Sequence, residues 1–126
     1  MKSIGCAVAL AVTLVIPSVA LSQAYPQRPI RVVVSFPPGG STDFMARVLA
    51  QHMPAGLGQT LVVDNRGGAA GTIGTDIVAK AAPDGYTLLV TADPPVAIAP
   101  SIYPKLPYDP PRDVPAITEL INSPDC

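Results

Sequence analysis

The sequence predicts an α/β domain built on a parallel sheet, and three observations carry that expectation. Residues 30–36, 60–64 and 86–91 are short runs rich in β-branched and aliphatic side chains, each closed by turn-forming residues. The first two are followed by stretches in which apolar residues recur at helical spacing. Strands that alternate with helices imply parallel pairing through right-handed crossovers.

Taken in order, Ile30-Arg31-Val32-Val33-Val34-Ser35-Phe36 reads as a buried strand ended by Pro37-Pro38-Gly39-Gly40. From Ser41 the period changes, with Phe44, Met45, Val48, Leu49, His52 and Met53 on one helical face. Ser41 or Thr42 is placed to cap the free amides, and Asp43 suits the positive end of the helix. Pro54 predicts an end or a kink around His52 or Met53. The second unit runs from the strand at 60–64 through the loop Asn65-Arg66-Gly67-Gly68-Ala69-Ala70-Gly71 to a helix face of Ile73, Ile77, Val78 and Ala81. Pro83-Asp84-Gly85 makes a turn into the third strand, which Ala92-Asp93-Pro94-Pro95 ends before a short apolar segment at 96–99. Residues 101–115 hold prolines at 104, 107, 110, 111 and 115, which predicts an extended surface connection. A last apolar patch lies around Ile117, Leu120 and Ile121.

The start of the chain is unlike the rest. Lys2 precedes an apolar stretch at 4–21, and Ser22-Gln23-Ala24 offers small residues where a signal peptidase reads, so residues 1–24 are expected to be a cleavable secretory signal. A membrane anchor is the rival reading, because the stretch is near the lower length of a spanning helix. Pro17 and Ser18 favour cleavage. Cys6 sits at the start of the apolar core, away from the place of a lipidated cysteine, and the mature part retains only Cys126, so neither an internal disulfide nor a cysteine metal site is expected. The whole chain has a formal net charge of -1 and no Lys/Arg cluster, which argues against nucleic acid as a partner.

In an open parallel sheet, ligands sit beyond the carboxyl ends of the strands. Pro38-Gly39-Gly40-Ser41-Thr42 would present backbone amides and two hydroxyls at a helix start, which attracts anions such as a carboxylate. Gly67 to Gly71 allow close approach, and Thr91 adds a hydroxyl at the third strand end. Spacing alone favours the plainer reading, in which these residues make tight turns and cap helices. On charge alone Asp43 belongs in a capping or first-turn role, and Arg66 is either an anion clamp or a solvated loop arginine. The Gly39-Gly40-Ser41 turn lacks the lysine of a phosphate-binding loop, and Gly68-Ala69-Ala70-Gly71 lacks dinucleotide spacing. His52 is the single histidine, expected in a packed or half-exposed structural role. Ser41 has no evident base to make it a nucleophile. The tyrosines at 86, 103 and 108 are expected to bury their rings and leave their hydroxyls wet.

Five ordered motifs carry a resemblance: Tyr25-Pro26-x-x-Pro29-Ile30-Arg31; Phe36-Pro37-Pro38-Gly39-Gly40-Ser41-Thr42-Asp43; Asp64-Asn65-Arg66 with its glycines; Lys80-Ala81-Ala82-Pro83-Asp84-Gly85-Tyr86-Thr87-Leu88; and Tyr103-Pro104-Lys105-Leu106-Pro107-Tyr108-Asp109-Pro110. Together they resemble the Bordetella uptake (Bug) family, receptors of tripartite tricarboxylate transporters. The resemblance implies a periplasmic binding protein, not an enzyme, with two α/β lobes of the type II periplasmic-binding-protein fold. Such a receptor closes on a small carboxylate without a cofactor and passes it to a membrane permease. By position, ligand contacts carry over to Pro38, Gly39, Gly40, Ser41, Thr42 and Asp43, and further to Gly67, Ala69, Ala70, Thr91, Ala92 and Asp93. This chain departs from the family at Gly67 and Ala70, where a proline and a glycine are usual, and at Asp93-Pro94-Pro95, where small polar residues are usual. The implied organisation is a signal at 1–24, an incomplete first lobe at 25–117 and a divergent tail at 118–126. On this resemblance the second lobe is expected to be absent, which would leave a truncated receptor or, alternatively, a non-functional gene fragment or a single-lobe module that docks on a sensor or permease.

Overall fold

A computed structural model describes residues 25–121, so the expected secretory signal and the last five residues lie outside the described part. The strands are β1 (Ile30–Val34), β2 (Leu61–Asn65) and β3 (Thr87–Val90). They form one sheet in the order β2-β1-β3, and both pairings are parallel, with Val32 opposite Val63 and Leu88. The helices are α1 (Ser41–His52), α2 (Pro54–Leu57), α3 (Thr72–Ala79), α4 (Ala99–Ile102) and α5 (Pro110–Asp113). A 3-10 turn at Ala69–Gly71 leads into α3, and a π-type turn at Pro94–Ile98 leads into α4.

The central strand explains the hydrophobic run from which it was predicted. Ile30, Val32, Val33 and Val34 are all buried, since β1 has a strand on each side and a helix over each face. Alternation sends Ile30, Val32 and Val34 towards α1, where they pack with Ala46, Leu61 and Val90. Val33 points the other way, to the side on which α3 crosses β1 and β3.

The register of α1 differs from the one expected. Its buried residues are Asp43 and Ala46, with Leu49 and Ala50 packed against the core, whereas Phe44 is 65% exposed and His52 is exposed. The alanine permits close approach to the sheet, and polar partners below draw Asp43 inward. Pro54 ends α1 as expected, because α2 begins at that proline and stops at Gly58 in the left-handed conformation. His52 Nδ1 lies 2.8 Å from the Val48 carbonyl, a local bond within its own helix.

The proline-rich segment is also more structured than expected. Pro110 and Pro111 fall at the first positions of α5, where no backbone N–H is needed, so a single helical turn forms there, as one does at α4 with Pro100 just ahead of the segment. Tyr108 and Pro110 are buried, and the Tyr108 hydroxyl donates to the Pro95 carbonyl at 2.8 Å. That hydroxyl is dry rather than wet, and burial pushes its pKa up. Ile117, Leu120 and Ile121 are exposed.

Tyr25, Gln27 and Arg28 clasp the turn before β3. The Tyr25 hydroxyl donates to the Gly85 carbonyl at 2.6 Å, the Gln27 amide donates to the Tyr86 hydroxyl at 2.8 Å, and Arg28 pairs with Asp84 at 2.9 Å. Among the described residues, no helix is long and apolar enough to cross a membrane.

Candidate functional site

All three strands run the same way, so the loops that follow them gather at one end of the sheet. Polar side chains cross-link these ends. Ser35 is fully buried just beyond β1, and its hydroxyl lies 2.6 Å from that of Thr91 just beyond β3. Asn65, the last residue of β2, donates from Nδ2 to the Phe36 carbonyl at 3.2 Å and to Asp43 Oδ1 at 2.9 Å. Ser35 and Asn65 were not singled out as site residues from the sequence; the signal was a small polar residue standing where each strand gives way to its loop.

The first loop leads directly into α1. Gly40 is the N-cap residue, and no side chain caps the helix, contrary to the expectation for Ser41 or Thr42. The first intrahelical bond runs from the Phe44 amide to the Gly40 carbonyl at 2.9 Å. The amides of Ser41, Thr42 and Asp43 therefore have no partner among the described residues. They open beside a concavity of about 570 Å3 lined by Phe36, Pro37, Pro38, Gly39, Gly40, Ser41, Thr42, Ala92 and Pro94. Free amides and the positive dipole end of a twelve-residue helix are features that attract negative charge.

The Asp43 side chain is turned away from this concavity. Its carboxylate is 4% exposed and accepts hydrogen bonds from the Gly39 amide (2.9 Å), Arg47 Nε (3.0 Å) and Asn65 Nδ2 (2.9 Å). Those donors, Arg47 first, hold its pKa at about 2. The Asp43 carboxylate stays ionised, and Arg47 offsets a charge that would otherwise repel an anionic guest.

No residue of the second loop lines this concavity, although the loop packs behind its wall. Gly67 packs on Pro37, whose ring and nitrogen would lie 3.0 Å from a β-carbon added there. Ala69 and Ala70 have positive φ angles of 47° and 53°, a left-handed conformation unusual for alanine, and neither lines the concavity. Arg66 Nε donates to Asp64 at 2.9 Å, and Asp64 is also held by Arg31, which is the larger cause of its lowered pKa. Arg66 is thus engaged with the β2 edge. Thr91, Ala92 and Asp93 border a larger groove of about 1500 Å3 that runs along β3, with Ser41 and Thr42 at its near end. Ala92 lines both spaces. Among the described residues, no group of three His, Cys, Asp or Glu side chains is placed to hold a metal ion.

Residues 45–126 match the sequence profile described as the tripartite tricarboxylate transporter family receptor. The chain is 56% identical over 88 residues to protein BugT of Bordetella pertussis, an alignment covering 69% of this chain and 27% of BugT. Among solved structures, it is 43% identical to MatC from Rhodopseudomonas palustris with bound malate, with a TM-score of 0.67, covering 71% of this chain and 30% of MatC. A second R. palustris protein, solved with adipate, is 38% identical with a TM-score of 0.65, covering 69% of this chain and 29% of that protein. The chain spans between 27% and 35% of the length of the curated relatives it matches.

Proposed function

The chain belongs to the family of tripartite tricarboxylate transporter receptors, and from that premise we propose that it forms the part of a periplasmic receptor that takes hold of a small carboxylate for a membrane permease. The observation that carries this reading is the uncapped start of α1, with three unpartnered amides beside an open concavity. An anionic oxygen placed there meets N–H donors and the positive end of the helix dipole. The Ser41 and Thr42 side chains flank the same space and supply hydroxyls.

Recognition at this place needs no charged side chain. A backbone-amide receptor accepts the carboxylate group whatever the rest of the acid looks like, which fits relatives solved with malate and with adipate. Selectivity among acids then falls to surfaces that meet the far end of the ligand. The resident groups nearest that role are Ala92 and Pro94 on the opposite lip of the concavity.

A single helix start contributes about 1 kcal/mol to anion binding at low ionic strength, so this segment by itself holds an acid weakly. Tight capture requires enclosure of most of the ligand surface. Calorimetry tests the reading with a panel of mono-, di- and tricarboxylates, using both this chain and the chain joined to the remaining sequence of BugT. Carboxylate binding by the joined protein, strengthened at low salt, is the expected result. A joined protein that binds sugars or nucleotides and no carboxylate overturns it.

A further inference from the structure

We infer that Asn65 and Asp43 are a positioning pair, a latch that fixes the anion-receiving loop to the end of β2 while neither side chain touches the ligand. For its consequence on binding, this inference rests on the function proposed above. One amide group of Asn65 reaches two elements of the first loop unit, the Phe36 carbonyl at its entry and Asp43 in the first turn of α1. Asp43 in turn holds the Gly39 amide, between those two points. The loop is thereby fastened at its beginning, middle and end from a single position on the neighbouring strand. Gly67, two residues beyond Asn65, presses on Pro37 and keeps the same two segments in contact.

This geometry gives the carboxylate of Asp43 a purpose that a neutral side chain fulfils less well. Gly39 has a φ of 89°, so the chain turns sharply there and its amide donates to the Asp43 carboxylate at 2.9 Å. A charged acceptor makes the stronger bond to that amide. With the turn fixed, the amides of Ser41, Thr42 and Asp43 are held in place before a ligand arrives, which removes an ordering cost from binding. Arg47, four residues along α1, keeps the carboxylate compensated from the solvent side.

Two loss-of-contact variants, followed by hydrogen exchange and calorimetry, test the latch, and a charge-swap pair extends the test. Asn65→Ala removes both strand contacts, and Asp43→Asn keeps the size of the side chain while removing its charge. Amide hydrogen exchange at Gly39 reports the turn, exchange at Val32 and Val34 reports the sheet, and calorimetry on the chain joined to the remaining BugT sequence reports malate affinity. With the sheet amides still protected, exchange at Gly39 is expected to accelerate about tenfold or more, and malate affinity to fall by a similar factor, the worth of one hydrogen bond to a charged group. Asn65→Asp, which sets two carboxylates face to face, is expected to be worse than Asn65→Ala, and adding Asp43→Asn is expected to recover part of the loss. Unchanged Gly39 exchange, or unchanged malate affinity in variants that do lose Gly39 protection, overturns the positioning role. A parent protein that binds no malate, yet loses Gly39 protection in both variants, refutes the proposed function and leaves the latch standing as a structural pair.

Discussion

Gly74→Ala measures how closely α3 sits on the end of β1. A β-carbon at this position would lie 2.7 Å from the Ser35 Cα and 2.8 Å from the Arg66 carbonyl oxygen. Both are backbone atoms, so neither gives way by rotating a side chain. To reach ordinary contact, α3 must lift by several tenths of an ångström from the very point where the first and second loops leave the sheet. Overpacking of this kind costs about 1–3 kcal/mol, and two backbone contacts put it near the top of that range. Alanine returns about 1 kcal/mol through its better helix propensity, leaving a net loss of about 2 kcal/mol. With a urea dependence of about 1 kcal/mol/M for a chain of this size, the unfolding midpoint followed by circular dichroism should fall by about 2 M. An unchanged or raised midpoint would mean that the helix does not meet the strand end so closely, and the derived placement of the second loop would fail with it.

Four other outcomes follow from the same structure. Val33→Ala removes a fully buried side chain from the central strand and should cost about 2–3 kcal/mol in urea unfolding. Tyr108→Phe loses the buried bond to the Pro95 carbonyl and should cost about 1 kcal/mol in the same assay, with the tertiary signal of the proline-rich segment kept. Arg66→Ala should leave malate affinity of the BugT-extended chain unchanged, because the guanidinium is engaged with Asp64 rather than facing the concavity. The pH dependence of unfolding should respond to Asp43: its folded pKa of about 2 lies below the unfolded value near 3.9, so its contribution is complete above about pH 4 and is lost as the pH falls towards 2. Asp43→Asn should therefore flatten the acid limb of an unfolding profile measured between those limits.

The sheet was legible because its strands are chemically plain. A run of β-branched residues buried on both sides, then a glycine turn, then helical spacing, points to a parallel α/β sheet, and both strand pairings are parallel; the order β2-β1-β3 was not read from the sequence. The helix end at His52 was legible for the same reason, since a proline forbids the next backbone bond. The buried face of α1 was not. Periodicity assigns the large apolar residues to the core; Leu49 does pack there, but the buried positions are Ala46 and a satisfied carboxylate, and Phe44 is left outside. Partners supplied by a different strand decided that outcome, and Asn65 lies 22 residues away from Asp43 in the chain. The prolines misled in a similar manner: they exclude helix interiors but suit helix starts, so counting them could not reveal α5 or the buried Tyr108. At the site, the helix start and its amides were evident from Gly39-Gly40-Ser41-Thr42, whereas the inward turn of the Asp43 side chain joins the local donors Gly39 and Arg47 to Asn65, which is distant in the chain.

The most direct test of the central claim observes the amides of Ser41, Thr42 and Asp43 by nuclear magnetic resonance while malate is added to the isotopically labelled chain joined to the remaining BugT sequence. These three signals should move together and saturably towards stronger hydrogen bonding, and the uncharged dimethyl ester of malate should leave them in place. If malate shifts only signals elsewhere, or the ester acts as well as the acid, the start of α1 is not the place where the carboxylate is received.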